Sequence, residues 1–475
     1  INPGDQTITI GGATVIANNG TLAINNAAGI FDAVGTFDAD DGAGGIGNIT
    51  FTDAGRLKLK SVKADLGTNL TVGTGTIEYD FAGQQDIFNT TYNHLEIDGS
   101  GDKDVSANLT VNGNLIITNG TLDMTNDGAG NFDLALATDF SMAAGSLIAG
   151  TSISHTVGGS WTETGGTFAP AAGTFTFNGD AKTITQSGNN FFNLTIGAGT
   201  KTAGSDLNID GALVIDAGTL DMSVTDDYTL DLEGDLTITN AGTFTPQEST
   251  THNVAGSWDD EGGTFTPGAG TIILSGDSKT ITTAVGNNFF NLTIAAGTKT
   301  AESDLDVNGA LLIDPGTLDM SVTNDYTLDL EGDLTIANAG TFTPQGSTTH
   351  DVAGSWDDEG GTFTPGAGTI ILSGDSKTIT TAGGNNFFNL TIAAGTKTAG
   401  SDLDVNGALL IDPGTLDMSG TNYTLDLEGD LTISNAGTFT PQGSTTHDVA
   451  GSWDDAGGTF TPGAGTIILS GDSKT

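Results

Sequence analysis

Six aspartates at matching positions of short, strand-like segments are the residues best suited to chemistry. When SDLDVNG, YTLDLEG and THDVAGS are aligned on their apolar residues, one aspartate falls at the same place in each segment. If these segments lie on adjacent strands, their carboxylates stand about 4.8 Å apart and repel one another. A hard cation such as Ca²⁺, which prefers oxygen ligands, would relieve that repulsion. The candidate calcium ligands are Asp306, Asp329, Asp351, Asp404, Asp426 and Asp448.

A plain structural explanation of these aspartates stays open beside the calcium hypothesis. An outward ladder of carboxylates also keeps a protein soluble without binding any ion. An earlier stretch of the chain places Asn208 and Asn253 at the equivalent outer positions, and a still earlier stretch places Thr110 and Thr156 there. A required set of ligands would not change to threonine. No residue is assigned to catalysis or to an organic cofactor.

Histidine and tryptophan recur at intervals of 97 or 98 residues and invite the same question. We expect the histidines to be surface or turn residues, because each follows a short polar segment. We expect the tryptophans to fill the core rather than to bind a ligand. The histidines are His155, His252, His350 and His447, and the tryptophans are Trp161, Trp258, Trp356 and Trp453.

The charge balance argues against several classes of partner. The chain has 59 acidic and 12 basic residues, so its net charge is −47, and Arg56 is its one arginine. Nucleic acids and anionic membranes attract clusters of Lys and Arg, so neither is an expected partner. The sequence has no Cys, which excludes disulfides and thiolate metal sites.

The recurring residues belong to a long tandem repeat. The predicted divisions are a divergent region at 1–75, a first repeat at 76–173, a second at 174–270, a third at 271–368, a fourth at 369–465, and the beginning of a fifth at 466–475. Because the sequence stops within a motif that continues in each earlier copy, we expect the stack of coils to extend beyond it.

A shorter period inside each repeat predicts the fold. Gly256, Gly276, Gly309, Gly332 and Gly354 align in one column with spacings of 20, 33, 23 and 22 residues. Between these glycines the apolar residues alternate with polar ones, which is the pattern of half-buried strands. The pattern predicts an all-β fold, an elongated parallel β-solenoid (β-helix) with coils of about 22 residues and four coils per repeat of 97–98 residues. The interval of 33 residues predicts a coil with a bulge, and a string of immunoglobulin-like sandwiches is the disfavoured alternative.

The segments NLTI, SDLDVNGALLI, GTLDM, YTLDLEGDLTI and GTFTP resemble the strand repeats of large bacterial cell-surface proteins, including filamentous-haemagglutinin-like adhesins. The resemblance covers residues 76–475 and, more loosely, 1–75. It implies a secreted protein that serves as a cell-surface fibre, stalk or adhesin. Its motifs are patterns of strand and turn residues, so they indicate a fold rather than an activity.

These observations together predict a non-enzymatic structural protein that forms an extracellular rod, filament, sheath or surface layer. The expected partners are other copies of the chain and a host surface or polysaccharide. A stalk that displays an adhesive tip is the first alternative. A β-helix enzyme acting on polysaccharides is the second, with 1–75 as the only region that could hold a unique cleft. An enzyme is not expected, because the carboxylates recur in every repeat whereas a catalytic site is normally unique.

Overall fold

The computed structural model describes residues 2–17, 19–40, 47–152, 154–223, 226–246, 250–321, 324–441 and 443–472. Residues 473–475, within the predicted beginning of a fifth repeat at 466–475, therefore lie outside the described part. Two units are distinguished by their internal contacts, one made of Ile1–Leu232 with Ala241–Phe244 and the other of Glu233–Asn240 with Thr245–Thr475. Every regular element in the described ranges is a β-strand. None of these ranges contains a helix that could cross a membrane.

The divergent N-terminal region and the first repeat contain short strands of two to four residues. The region 1–75 forms β1 (Thr7–Ile10), β2 (Thr14–Val15), β3 (Thr21–Ile24), β4 (Ile30–Ala33), β5 (Phe37–Asp38), β6 (Asn48–Phe51), β7 (Arg56–Leu59), β8 (Ala64–Asp65) and β9 (Asn69–Thr71). The first repeat forms β10 (Thr76–Tyr79), β11 (Gln85–Asp86), β12 (Thr91–Tyr92), β13 (His94–Ile97), β14 (Asp102–Asp104), β15 (Leu109–Val111), β16 (Leu115–Ile117), β17 (Thr121–Asp123), β18 (Leu134–Leu136), β19 (Phe140–Met142), β20 (Ser146–Ile148), β21 (His155–Val157), β22 (Trp161–Glu163) and β23 (Thr167–Ala169).

The second repeat contains two longer strands, each of which continues through a corner of the coil. It forms β24 (Thr174–Phe177), β25 (Lys182–Thr185), β26 (Asn193–Ala203), β27 (Leu207–Ile209), β28 (Leu213–Asp221), β29 (Leu230–Leu232), β30 (Leu236–Ile238), β31 (Thr243–Thr245), β32 (Thr251–Val254), β33 (Trp258–Asp260) and β34 (Thr264–Phe265).

The third and fourth repeats have the same succession of strands. The third forms β35 (Thr271–Leu274), β36 (Lys279–Thr282), β37 (Asn291–Ile294), β38 (Thr298–Ala301), β39 (Leu305–Val307), β40 (Leu311–Ile313), β41 (Thr317–Asp319), β42 (Leu328–Leu330), β43 (Leu334–Ile336), β44 (Thr341–Thr343), β45 (Thr349–Val352), β46 (Trp356–Asp358) and β47 (Thr362–Phe363). The fourth forms β48 (Thr369–Leu372), β49 (Lys377–Thr380), β50 (Asn389–Ile392), β51 (Thr396–Ala399), β52 (Leu403–Val405), β53 (Leu409–Ile411), β54 (Thr415–Asp417), β55 (Leu425–Leu427), β56 (Leu431–Ile433), β57 (Thr438–Thr440), β58 (Thr446–Val449), β59 (Trp453–Asp455) and β60 (Thr459–Phe460), and β61 (Thr466–Leu469) opens the next.

Parallel pairing between successive coils defines the fold class. In the second unit β39 pairs with β42, and β42 pairs with β45, always in parallel and one coil apart. In the first unit β4 pairs with β7 and β7 with β10 in the same way. In each unit, coils of about 21 residues stack in parallel and form a β-solenoid. The predicted all-β solenoid is confirmed.

The core consists of the inward-facing residues, which alternate with outward-facing residues along each strand. In β39, Leu305 and Val307 are at most 1% exposed, while Asp306 between them faces outward. Leu305 lies over Leu328 of the next coil, so like residues stack on like residues. Burying such a side chain stabilises the fold by roughly 1.5–3 kcal/mol. The repeating sequence thus builds its core by repetition.

The number of coils per repeat differs from the predicted four. In the third repeat, thirteen strands and the bridge at Phe289 make fourteen visits to three faces, which is four and two-thirds coils. The equivalent strands β35, β48 and β61 accordingly belong to three different sheets. Each repeat is therefore rotated by a third of a turn relative to the preceding one. Equivalent residues of consecutive repeats lie on different faces as a result.

The predicted coil of 33 residues is also wrong. Leu274 pairs with Ile294, and Ile294 pairs with Ile313, so the chain makes coils of 20 and 19 residues there. Gly276 and Gly309 align in the sequence because both follow a strand, although they lie on different faces. A residue on the next face has the same sequence environment, so alignment alone could not separate the two columns.

The remaining glycines of the column lie where backbones of neighbouring coils come very close. A Cβ atom at Gly332 would stand 2.1 Å from the carbonyl oxygen of Gly309, and one at Gly354 would stand 1.9 Å from that of Gly332. Such distances are far below van der Waals contact. Close approach of two coils therefore requires glycine here.

We expect Gly332→Val to destabilise the third repeat by at least the roughly 1–3 kcal/mol typical of overpacking, because the added atoms collide with main chain. Hydrogen exchange of the strands around residue 332 measures this loss. Glu331→Gln changes the exposed neighbouring side chain and serves as the control. Equal protection in the two variants would contradict the steric role of the glycine.

Candidate functional site

The predicted aspartate ladder is present in the third repeat. Asp306, Asp329 and Asp351 are Cα partners in three successive coils. Each follows an inward residue, so the three side chains point outward from one face. Asp306 and Asp351 are half-buried, whereas Asp329 is exposed. The stacking expected from the sequence is confirmed for this set.

The fourth repeat builds the same ladder on another face. Asp404 pairs with Asp426, and Asp426 pairs with Asp448, in the register of the third repeat. Oδ1 of Asp448 is buried and accepts no hydrogen bond. The two ladders therefore have the same geometry, and they lie on different faces because of the displacement between repeats.

Burial, and after it the crowding of like charges, raises the pKa of several ladder carboxyls. Burial, and then the charges of Asp329 and Asp304, raise the pKa of Asp306. Burial, and then the charge of Asp351, raise the pKa of Asp329. Burial, and then the charges of Asp426 and Asp402, raise the pKa of Asp404. The ladder is thus a region of negative potential that favours cations.

A shallow groove of about 340 Å³ accompanies the ladder in the third repeat. Its wall includes Glu302, Asp304, Asp306, Asp329 and Tyr326. Asp304 is held in place because its Oδ1 accepts hydrogen bonds from the backbone N–H and the hydroxyl of Thr327, at 2.8 and 3.0 Å. The groove can attract cations, and calcium binding by the ladder stays a prediction.

The carboxylates that lie closest together are not those of the ladders. Two groups among the described residues bring three possible ligand atoms within 4.8 Å of one another. They are Glu78, Asp80 and Asp98, and Asp104, Asp123 and Asp127. The six ladder aspartates belong to neither group. A ladder spaces its carboxylates one coil apart along a line, whereas these groups gather them around one point.

The histidines are buried, so the expectation that they lie at the surface or in turns is wrong. His155 and His252 are 0% exposed, and His350 and His447 are 1% exposed. Nδ1 of His350 accepts the backbone N–H of Leu328 at 3.0 Å. Its Nε2 lies 3.2 Å from the carbonyl oxygen of Gln345, to which it can donate. The ring therefore bonds backbone groups of two coils.

This ring takes the place of a missing backbone hydrogen bond. Backbone pairing between β42 and β45 begins at Asp329 and Asp351, one residue after Leu328. His447 accepts the N–H of Leu425 in the same way at 3.0 Å. Burial lowers the pKa of His350, and burial lowers that of His155 to about 4. The rings are neutral structural bridges between coils.

Four lysines, one in each repeat, are also buried, although the sequence reasoning did not single them out. Each is 0% exposed, and they are Lys103, Lys201, Lys299 and Lys397. Nζ of Lys103 donates to four carbonyl oxygens, those of Phe81, Gly83, Gly99 and Gly101, at 2.8–3.4 Å. Burial lowers the pKa of Lys103 to about 8. The ammonium group of Lys103 thus bonds backbone carbonyls inside the coil stack, which compensates part of its burial.

Strand parity was the signal that could have revealed these lysines. In Thr-Lys-Thr-Ala, Lys299 has the inward parity of Ala301, and the flanking Thr298 and Thr300 face outward. Three of the four tryptophans follow the expectation, since Trp161 is 0% exposed and Trp258 and Trp356 are 1% exposed, whereas Trp453 is only half-buried.

Comparison with known proteins adds no relative to this picture. No protein family model, no curated protein and no solved structure matches the chain. Its function must therefore be argued from the solenoid and its side chains.

We expect His350→Asn to reduce the loss of stability in acid. Since the pKa of His350 is lower in the fold than in the unfolded chain, its contribution is complete above about pH 6.5 and falls as the pH decreases below that value. The Asn oxygen can accept the N–H of Leu328 but does not titrate. Hydrogen exchange of β42 and β45 at pH 7 and pH 5 measures the difference. Thr349→Ser, at the exposed neighbouring position, should keep the wild-type dependence on pH.

We expect Asp329→Asn to raise the melting temperature of its repeat at low ionic strength, because it removes the central charge of the ladder. The gain should shrink in high salt, which screens exposed charges. Glu331→Gln removes the same charge from a position outside the ladder and should give a smaller gain. A gain of equal size in both variants would mean that net charge, rather than the ladder, controls the effect.

Proposed function

We propose that the chain is a non-enzymatic structural repeat protein that forms an extracellular rod, filament, sheath or surface layer. The solenoid fold is suited to a structural repeat protein. The observation that carries the proposal is the displacement of a third of a turn between repeats. Because β35, β48 and β61 lie in three sheets, equivalent surface groups face three directions in turn.

This arrangement favours contacts repeated along and around an assembly. A single copy of each surface group per repeat, presented on successive faces, offers the same contact to several neighbours. Other copies of the chain are therefore the proposed partners, with contacts between acidic faces that depend on cations. A host surface or polysaccharide would meet the same repeated groups. The repeats supply many equivalent surface sites rather than one unique cleft.

The pairing of the basic residues also supports a structural role over the polysaccharide-active alternative. An enzyme for acidic polysaccharides needs free Arg or Lys side chains to hold the substrate's carboxylates. Arg56 instead forms ion pairs with Glu78 and Glu96. Lys58 and Lys60, on the same strand and just beyond it, also bond acidic side chains. These three basic side chains are therefore paired with the chain's own carboxylates.

The axial repeat of native or reconstituted assemblies tests the structural part of the proposal. Four and two-thirds coils advance about 22 Å, and equivalent groups return to one face after about 67 Å. X-ray fibre diffraction or cryo-electron microscopy measures both distances. A string of sandwiches would advance about 40 Å per repeat and would overturn the proposal.

Surface labelling tests the proposed location. The chain has no Cys, so a single cysteine can be introduced and detected without background. Glu331→Cys should react with a membrane-impermeant maleimide on intact cells of the source organism, and the buried Val352→Cys should not. Reaction only after lysis would contradict an extracellular location. If surface display is intact and deletion of the chain abolishes attachment without altering any fibre or layer, the adhesin stalk is the better description.

A further inference from the structure

A cluster of three carboxylates in the first repeat lies apart from the ladders. Asp104 ends β14, Asp123 ends β17, and the two are Cα partners in adjacent coils. Asp127 follows in the loop after β17. One oxygen from each of the three side chains lies within 4.8 Å of the others. The cluster therefore gathers three negative charges around one point.

Two members of the cluster are deeply buried although they are acidic. Asp104 is 3% exposed and Asp123 is 5% exposed. Asp123 is held by its surroundings: Oδ1 accepts the backbone N–H and the hydroxyl of Thr125, and Oδ2 accepts the N–H of Asp127. Burying carboxylates side by side is costly unless a cation or a proton compensates their charge.

One buried oxygen of the cluster has no partner. Oδ2 of Asp104 accepts a hydrogen bond from Nε2 of Gln84 at 2.5 Å, and the same Nε2 donates to Oδ2 of Asp127 at 2.9 Å. Gln84 thus draws the two carboxylates toward one another. Oδ1 of Asp104 is buried and accepts no hydrogen bond. Burial, and then the charges of Asp127 and Asp123 among others, raise the pKa of Asp104, whereas Gln84 lowers it.

The cluster has no ion-paired lysine or arginine in the part of the chain that the structure describes. Among the described residues, the ion pairs include none with Asp104, Asp123 or Asp127. The amino group of the adjacent Lys103 is directed to backbone carbonyls. The other close group differs, because Glu78 forms ion pairs with Arg56 and Lys58.

The later repeats lack this cluster at the same place in the fold. Where Asp104 faces Asp123, Thr202 faces Asp221 in the second repeat, and equivalent Thr–Asp pairs recur in the third and fourth. Two carboxylates directly opposite one another destabilise a strand pair, whereas Thr opposite Asp does not. The first repeat therefore has an unfavourable pair of carboxylates at a position where the later repeats have a Thr–Asp pair.

The loop after β17 contains part of a calcium-binding sequence pattern. Asp123, Asp127 and Gly128 occupy the first, fifth and sixth places of the sequence D-x-[DN]-x-[DN]-G found in calcium loops. Gly128 has a φ of 82°, the left-handed conformation that the sharp turn needs. The twelfth place, which holds a chelating Glu in such loops, is Leu134. Asp104 of the neighbouring coil can supply the carboxylate that the loop lacks.

We propose that Asp104, Asp123 and Asp127 form a calcium site that ties the loop after β17 to the neighbouring coil. The three carboxylates supply oxygen ligands, and Oδ1 of Asp104 is the buried oxygen without another partner. Ca²⁺ tolerates irregular oxygen coordination better than Mg²⁺, which requires near-octahedral geometry. The site does not depend on the proposed structural role, since it concerns one repeat and its own side chains.

Calcium binding by the full chain tests this site. Equilibrium dialysis against Ca²⁺ in excess Mg²⁺ counts bound ions, and hydrogen exchange follows the peptide that covers residues 123–131. Asp104→Thr is the test variant, because the other repeats fold with threonine there. It should bind one calcium ion fewer than the wild type and lose the calcium-dependent protection of that peptide. Asp127→Asn, a change in the exposed part of the site, keeps an oxygen ligand but loses its charge, so it should bind the ion more weakly and show less of the calcium-dependent protection.

Asp102→Asn is the matched control, because it removes one charge from an exposed position of the same strand. It should keep both the ion and the protection. In chelator, the peptide 123–131 of Asp104→Thr should be at least as protected as that of the wild type, since the variant removes repulsion. Calcium binding that is equal in Asp104→Thr and Asp102→Asn would overturn the site and assign bound calcium to the ladders. Weaker protection of the variant in chelator would overturn it as well, because the carboxyl group would then stabilise the loop without a cation.

Discussion

Backbone hydrogen bonding between successive coils is the constraint on which the rest of this structure depends. Each coil must present its N–H and C=O groups to the next coil in the same register. A slip of one residue would turn every inward side chain outward. Leu305 over Leu328 and Asp306 over Asp329 are two results of one register. The core and the acidic ladder are therefore inseparable consequences of the same pairing.

Corners and strand ends are where this pairing fails, and the buried polar residues lie there. His350 accepts the N–H of Leu328 at the end of the paired segment of β42 and β45, and Lys103 donates to carbonyls at a corner. Both residues are buried because they bond backbone groups inside the coil stack. They recur once per repeat because the interruption of backbone pairing also recurs once per repeat. Polar residues that repeat with the fold are thus explained by the fold.

The cluster at Asp104 is of a different kind because it departs from the repeat. Its equivalents in the later repeats are Thr–Asp pairs, which satisfy the fold without a second carboxylate. A residue that the repeat does not require, and that places charge opposite charge, needs another explanation. In a chain built by repetition, departures from the period are therefore the most informative positions for function.

The residue pattern alone predicts the all-β class, the parallel coils, the inward and outward parity of residues such as Leu305 and Asp306, and the stacking of the aspartates. These follow from local alternation and from the alignment of neighbouring segments, both of which are visible in a linear pattern. It did not determine which face each coil segment occupies, because the three faces have similar strand patterns. The repeat of four and two-thirds coils, the backbone groups that His350 and Lys103 bond, and the approach of Asp104 to Asp127 are visible only in the folded chain. Each depends on how far the chain has turned when a residue is reached, and that rotation accumulates from corner geometry over many residues.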